Sequence, residues 1–414
     1  MAGNFNKKTD KIYLDYAATT PVDPEVEKAM RPYFGRKFGN PGSLHFFGQE
    51  AMAGVDESRE KIAAAIGADF REIIFTGSAT EANNLALRGA VREFRIQNLE
   101  YRKLLNPRII VSSIEHESIL ATARDLESSG IEVIYLPVSR AGFVDLKKLK
   151  AALNEQTVLV SIMHANNEIG TIQPIAEIAE IIGNFRATSN KRHVENSRIA
   201  HVAFPILHSD VAQSFQYLDC DVNKLGVDLM TLSGHKIYGP KGVGALYVRS
   251  LNSKFCILNS ILTGGGQEFG FRSGTENVPL IVGFAKAVEL AVENREQESK
   301  RIKNLRDYFW HGFKKIFPRA AVNGSFTNRL PNNLNICLPG YSAEDLLVKL
   351  DLTGIAVSSG SACSARSVKL SSVLAAIGCN EKRIRQSLRF TFGKFTEKSE
   401  LDEALKRIKN IIYG

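Results

Sequence analysis

The stretch Ser233-Gly234-His235-Lys236-Ile237-Tyr238-Gly239-Pro240-Lys241-Gly242 carries the most pointed chemistry in the chain. The apolar run Val227 to Leu232 precedes it and a Gly-Pro turn closes it, so the Lys236 amine should emerge at the carboxyl end of a strand. Open α/β sheets bind their ligands at that end. An amine placed there can join a carbonyl and so hold an aldehyde cofactor. Taken alone, Lys236 reads first as a solvated surface charge, the usual fate of lysine.

Other residues suit the same chemistry. Leu207-His208-Ser209-Asp210-Val211-Ala212-Gln213 follows a second apolar run, Val202 to Leu207. Pyridoxal phosphate needs an anionic partner for its ring nitrogen. Asp210 offers that carboxylate and Gln213 a donor to the ring oxygen, although an Asp before this turn caps a helix equally well. His116, in Ile114-Glu115-His116-Glu117-Ser118, follows the run Ile109-Ile110-Val111. Its imidazole can stack on an aromatic ring and exchange protons near neutral pH, or simply cap a helix. Gly77-Ser78-Ala79-Thr80-Glu81-Ala82-Asn83-Asn84 opens an apolar helix after Ile73-Ile74-Phe75. Its exposed N–H groups make an anion site or an ordinary helix start. Cys363, in Ser359-Gly360-Ser361-Ala362-Cys363-Ser364-Ala365-Arg366, sits among small and polar residues. Buried cysteines keep apolar company, so this one is expected in an exposed loop as the reactive thiol.

Positioning these groups requires strands that end together. Seven apolar, β-rich runs alternate with helical patterns: Glu72 to Thr76, Arg108 to Ser112, Glu132 to Leu136, Val158 to Met163, Val202 to His208, Asp228 to Leu232 and Gly244 to Val248. That alternation predicts an α/β fold with a mostly parallel sheet covered by helices. After Thr275 the texture turns to long charged helices, with Ile302, Leu305, Phe309, Phe313 and Ile316 at helical spacing as a packing stripe. The expected division is a large domain over 22–276 and a small domain from 1–21 with 277–414. Residues 184–197 read as a polar surface loop. His193, His201 and His208 nearby lack the spacing of metal ligands, so no metal is expected.

Composition narrows the class. A chain of 414 residues with 44% hydrophobic and 23% charged residues is an ordinary globular protein of more than one core. No apolar run approaches a bilayer span and Met1 to Lys8 lacks an apolar leader core, so no membrane association and a cytoplasmic location are expected. The five cysteines, 220, 256, 337, 363 and 379, are odd in number and widely spaced, as in reduced thiols. The net charge of +9 suits anionic partners such as tRNA or acidic proteins, but the scattered basic residues read first as solvated surface.

Taken in order, these motifs resemble the cysteine desulfurases of the class V aminotransferase group of PLP enzymes, most closely the long-loop type that feeds iron–sulfur cluster assembly. The resemblance runs from Ile12-Tyr13-Leu14-Asp15-Tyr16-Ala17-Ala18-Thr19-Thr20-Pro21 to Ser387-Leu388-Arg389-Phe390-Thr391-Phe392-Gly393. It implies fold type I of the PLP-dependent transferases, with a seven-stranded large domain and a smaller α+β domain. It also implies a homodimer, L-cysteine as substrate, and a scaffold or other sulfur-acceptor protein as partner, with tRNA-modification partners in addition. By this resemblance Ala79, Thr80, Ser233 and His235 hold the cofactor phosphate, and Thr275 reaches a phosphate across the dimer interface. His116, Asn166, Asp210 and Gln213 contact the cofactor, Asn166 and Arg389 the substrate carboxylate, and Lys236, His116 and Cys363 carry the reaction, with sulfur received on Cys363 as a persulfide. Phe269 stands where the family usually has arginine. A selenocysteine lyase, another class V enzyme, or a non-catalytic sulfur-assembly component remain alternatives.

Overall fold

The structure, a computed structural model, describes residues 11–97, 106–193, 204–249, 257–359 and 370–413. Its strands are β1 (Ile12–Tyr13), β2 (Ile73–Thr76), β3 (Arg108–Ser112), β4 (Glu132–Leu136), β5 (Thr157–Ser161), β6 (Ile206–Asp210), β7 (Leu229–Ser233), β8 (Gly244–Val248), β9 (Ala321–Val322), β10 (Asn333–Cys337), β11 (Ile355–Ala356) and β12 (Ser387–Thr391). Its helices are α1 (Pro24–Met30), α2 (Phe46–Ile66), α3 (Ala79–Gln97), α4 (Glu117–Ser128), α5 (Leu146–Ala152), α6 (Ile175–His193), α7 (Val222–Leu225), α8 (Val278–Ile316), α9 (Ala343–Leu352), α10 (Ser372–Ala376), α11 (Glu381–Ile384) and α12 (Lys398–Tyr413).

The seven apolar runs form one sheet in the order β2-β8-β7-β6-β5-β3-β4. Strands β7, β6, β5, β3 and β4 are parallel, and β8 runs against both its neighbours. Strand β2 therefore points the same way as β7, and the carboxyl ends of β2, β7, β6, β5 and β3 share one edge. Because side chains alternate across a strand, Ile110 and Phe75 enter the core on one face, while Ile109, Val111 and Ile74 enter the core on the other. Both faces are covered, which is why these strands read as continuous apolar runs. The fold is the mostly parallel, helix-covered sheet that the sequence predicts.

A separate core gathers the last turns of α8 (Ile302, Phe309, Phe313) with β10, β12, α9 and α12. Ile12 and Leu14 from the amino-terminal segment join it, and β1 pairs in parallel with β11. Helix α8 serves both cores, since Ile281, Phe284 and Val288 near its start pack under the large sheet.

Residues 184–193 correct one expectation. They continue α6 instead of forming a loop, and 194–197 lie outside the described residues. No glycine or proline interrupts 184–193, Phe185 packs against the large core, and the Arg186 Nε bonds the Pro205 carbonyl at 2.9 Å. A polar composition hid these anchors.

Phe269 also has an explanation. Arg59 and Glu268 form a buried bidentate pair, Nη1–Oε2 and Nη2–Oε1 both 2.8 Å, and Glu268 Oε2 also accepts the Phe75 N–H. The Arg59 guanidinium lies over both the Phe75 and the Phe269 ring, 4.8 and 4.9 Å from their centroids. Phe269 offers Arg59 a cation–π face, where an arginine would bring a second positive charge. Converting Glu268 to Gln strands the buried Arg59 charge and should cost about 3–5 kcal/mol, read as a lower urea-unfolding midpoint.

Candidate active site

Five of the singled-out segments meet at the shared carboxyl edge. Residues 77–80 follow β2, Lys236 follows β7, Asp210 ends β6, Asn166 lies beyond β5, and His116 lies beyond β3. The amino-terminal segment 12–20 covers them. Lys236 Nζ donates to the carbonyls of Ala17 and Ala18, both at 2.7 Å, and Gln213 Nε2 donates to Ala17 O at 3.1 Å. Thr20 N–H bonds the His235 carbonyl at 3.0 Å, and the Tyr238 N–H bonds Thr20 Oγ1 at 2.8 Å. Tyr238 holds a left-handed φ of 66°, a strained position two residues after the lysine.

Asp210 is 6% exposed. Its Oδ1 accepts the Ala212 N–H at 2.9 Å and its Oδ2 the Asn83 amide at 2.8 Å. Among the described residues no cation pairs with it. The residues after it are turns and not a helix, so the capping alternative fails here. His116, by contrast, does cap α4: its Nδ1 accepts the Ser118 N–H at 3.1 Å. Beside it, Glu115 accepts bonds from Ser112 Oγ and the Met163 N–H on Oε1, while Oε2 is buried without a partner. Burial pushes this carboxyl up to about 8, so it is uncharged near neutral pH.

At the start of α3, the N–H groups of Ala79 and Thr80 have no partner among the described residues, whereas those of Gly77, Glu81 and Ala82 are taken by Glu81 Oε2, Ser78 Oγ and Ser78 O. Gly244 lies against this terminus, and a Cβ there would come within 3.0 Å of Ala79 N. Ser233 is buried at the end of β7. His235 is neutral, held down to about 4 by burial and then by the charges of Lys236 and Lys241; its Nδ1 is 3.1 Å from Thr19 Oγ1. Thr275 is exposed.

Arg389 is 2% exposed. Nη2 pairs with Asp15 Oδ1 at 2.8 Å, Nη1 donates to Asn167 O at 3.0 Å, and Nε is buried without a partner. Asn166 is committed within the protein. Its Nδ2 donates to Ile114 O at 2.8 Å and its Oδ1 accepts the N–H groups of Glu168 and Ile169, both at 2.9 Å. The second Nδ2 hydrogen meets only the weak acceptor Met163 Sδ at 3.4 Å, so a ligand could take that donor, whereas Oδ1 has both its lone pairs in use.

Cys363 and Cys256 lie outside the described residues. Burial raises the thiol of Cys220 to about 12 and raises those of Cys337 and Cys379. His208 bridges Ser161 Oγ and Thr231 Oγ1 at 2.9 and 3.0 Å, and the described residues hold no cluster suited to a metal. No helix of the described residues is long and apolar enough to cross a membrane. Asn83, Ser118, Asp15 and Glu115 are site residues that the sequence reading did not assign, although each lies inside a motif it quoted.

These features fit pyridoxal phosphate. A buried carboxylate without a cation suits a protonated ring nitrogen, two free N–H groups at a helix start suit a phosphate, and an amine lies on the same edge.

The family description Aminotransferase class-V matches residues 12–189 and 192–404. The chain is 43% identical over 402 residues to the cysteine desulfurase IscS of Dictyoglomus turgidum, covering 97% of this chain and 94% of that one. It is 43% identical over 409 residues to the cysteine desulfurase IscS of Rickettsia rickettsii, covering 99% and 92%. A solved NifS-like protein superposes with a TM-score of 0.84 at 34% identity, covering 97% of this chain and 99% of that one.

Proposed function

The chain belongs to the aminotransferase class-V family, and from that premise we propose that it is a PLP-dependent cysteine desulfurase. It converts L-cysteine to L-alanine and takes the sulfur onto Cys363 as a persulfide, for delivery to iron–sulfur cluster assembly and to tRNA thiolation. The observation that carries this reading is the buried Asp210 carboxylate, without a cationic partner among the described residues, on the sheet edge that also bears Lys236.

When bound, pyridoxal phosphate supplies an aldehyde and an electron-withdrawing ring. Ala79 and Thr80 N–H, with Ser233 and His235 of the same chain and the partner subunit's Thr275, would hold its phosphate. Asp210 would pair with the ring nitrogen, and His116 would stack over the ring. Lys236 leaves the Ala17 and Ala18 carbonyls to move the proton at the substrate Cα. Arg389 holds the substrate carboxylate, with its unpartnered Nε as the donor still to be satisfied. The Cys363 sulfur bonds to the substrate sulfur as the carbon–sulfur bond breaks. Burial raises the thiols of Cys220, Cys337 and Cys379, which weighs against those three as the acceptor, since a nucleophile must be a thiolate.

The homodimer is part of the proposal. Phe38, Leu44 and Phe46 are 65%, 92% and 69% exposed, an apolar patch that a second subunit would cover. The division into 22–276 and 1–21 with 277–414 belongs to the same reading.

The test is purified protein supplied with PLP, then with L-cysteine or L-selenocysteine and a thiol reductant. A cofactor absorption band and alanine and sulfide from L-cysteine are expected. Absence of the band, or alanine from selenocysteine alone, overturns the assignment.

A further inference from the structure

Asn83 donates both ways in a chain of hydrogen bonds that links Asp210, through Ser118, to His116. The Asn83 amide Nδ2 lies 2.8 Å from Asp210 Oδ2 and 2.9 Å from Ser118 Oγ. An ionised carboxylate only accepts, so the amide must face it with its nitrogen, and its two hydrogens serve these two oxygens. The orientation holds although the Asn83 Oδ1 is buried without a partner, so the two donated bonds decide it. Ser118 Oγ, already accepting from Asn83, has its own proton to place. His116 Nδ1 lies 2.8 Å away. The Ser118 backbone N–H points at the same nitrogen, at 3.1 Å. Two donors converging on Nδ1 require a lone pair there, so the neutral ring carries its proton on Nε2.

We propose that Asn83 and Ser118 are positioning residues that fix His116 as its Nε2–H tautomer and tie that choice to the orientation of the Asp210 carboxylate. What His116 and Asp210 then do rests on the function proposed above; the tautomer itself does not. In that function the chain keeps Asp210 turned toward the ring nitrogen and leaves Nε2 as the side of His116 that exchanges a proton.

The experiment separates the two. Protein labelled with ¹⁵N in its eight histidines is studied without cofactor and again with PLP, the His116 signals being assigned by comparison with His116→Gln. At neutral pH, wild type is expected to show a single Nε2–H pattern for His116 in both forms. Ser118→Ala removes only the hydroxyl donor and should admit the Nδ1–H form, while Ser118→Thr, which keeps a hydroxyl, should restore the wild-type spectrum. Asn83→Leu should loosen the pattern in the same direction and shift the bound-cofactor absorption band. Turnover with L-cysteine should fall about tenfold in Ser118→Ala, the kinetic equivalent of one neutral hydrogen bond near the top of its usual range, and recover in Ser118→Thr. An Nδ1–H pattern in wild type, or an unchanged spectrum in Ser118→Ala, overturns the proposal. A locked tautomer in a protein that releases no sulfide from cysteine would instead overturn the desulfurase reading and leave this one standing.

Discussion

Cys363→Ser will bind the cofactor and take up L-cysteine, yet its alanine and sulfide production will fall by about 10³-fold or more, the scale seen when a catalytic nucleophile is removed. Neither cofactor loading nor substrate binding uses the thiol, and a serine hydroxyl stays protonated where a cysteine gives up its proton. Mass spectrometry after one turnover of wild type should find one added sulfur on the peptide bearing Cys363. Burial holds the thiol of Cys220 near 12 and raises that of Cys379, so sulfur on either peptide, or wild-type sulfide release from the serine variant, would show that another group accepts it.

The second large effect is expected at Lys236. Lys236→Ala should lose the cofactor that borohydride fixes to wild type and at least about 10³-fold of turnover, because alanine has no amine to join the cofactor aldehyde. The alanine also abandons two carbonyl acceptors, those of Ala17 and Ala18, and could loosen the segment above the site. Lys236→Arg separates the two roles. A guanidinium can still donate to both carbonyls but is a poor nucleophile toward an aldehyde, so this variant should unfold like wild type and remain inactive. Activity or borohydride labelling in either variant would remove Lys236 from its assigned role.

The strands were legible because burial on both faces leaves no polar alternation to blur them. Their limits shifted where polar residues are buried and satisfied. The expected strand stops at His208, but β6 runs from Ile206 through Ser209 and Asp210; His208 finds Ser161 and Thr231 on the flanking strands and Ser209 Oγ donates to Ile162 O at 2.8 Å. Helix α6 ran past its expected end because long-range anchors, and not composition, decide it. The position of Lys236, Asp210 and His116 on one edge followed from strand ends alone. Their neighbours did not: Asn83 looks like a helix residue and Asp15 like part of a turn, and only the fold brings them to Asp210 and Arg389. Asn166 shows the opposite case, a residue suited to ligand contact by type whose amide oxygen the surrounding turn already uses.

The pairing of the amino-terminal segment with β12 also sets an order of events during synthesis. Ala17 N–H bonds Thr391 Oγ1 at 2.9 Å, and Asp15 meets Arg389 across 374 residues of sequence. A nascent chain can build the large sheet before β12 emerges, but the Asp15–Arg389 pair and the Ala17–Thr391 bond wait for that strand. Closing so long a loop is entropically slow to begin. A chain stalled or clipped before Arg389 would therefore carry the strands that bear the lysine and the aspartate without the Asp15–Arg389 pair that ties the amino-terminal segment to β12.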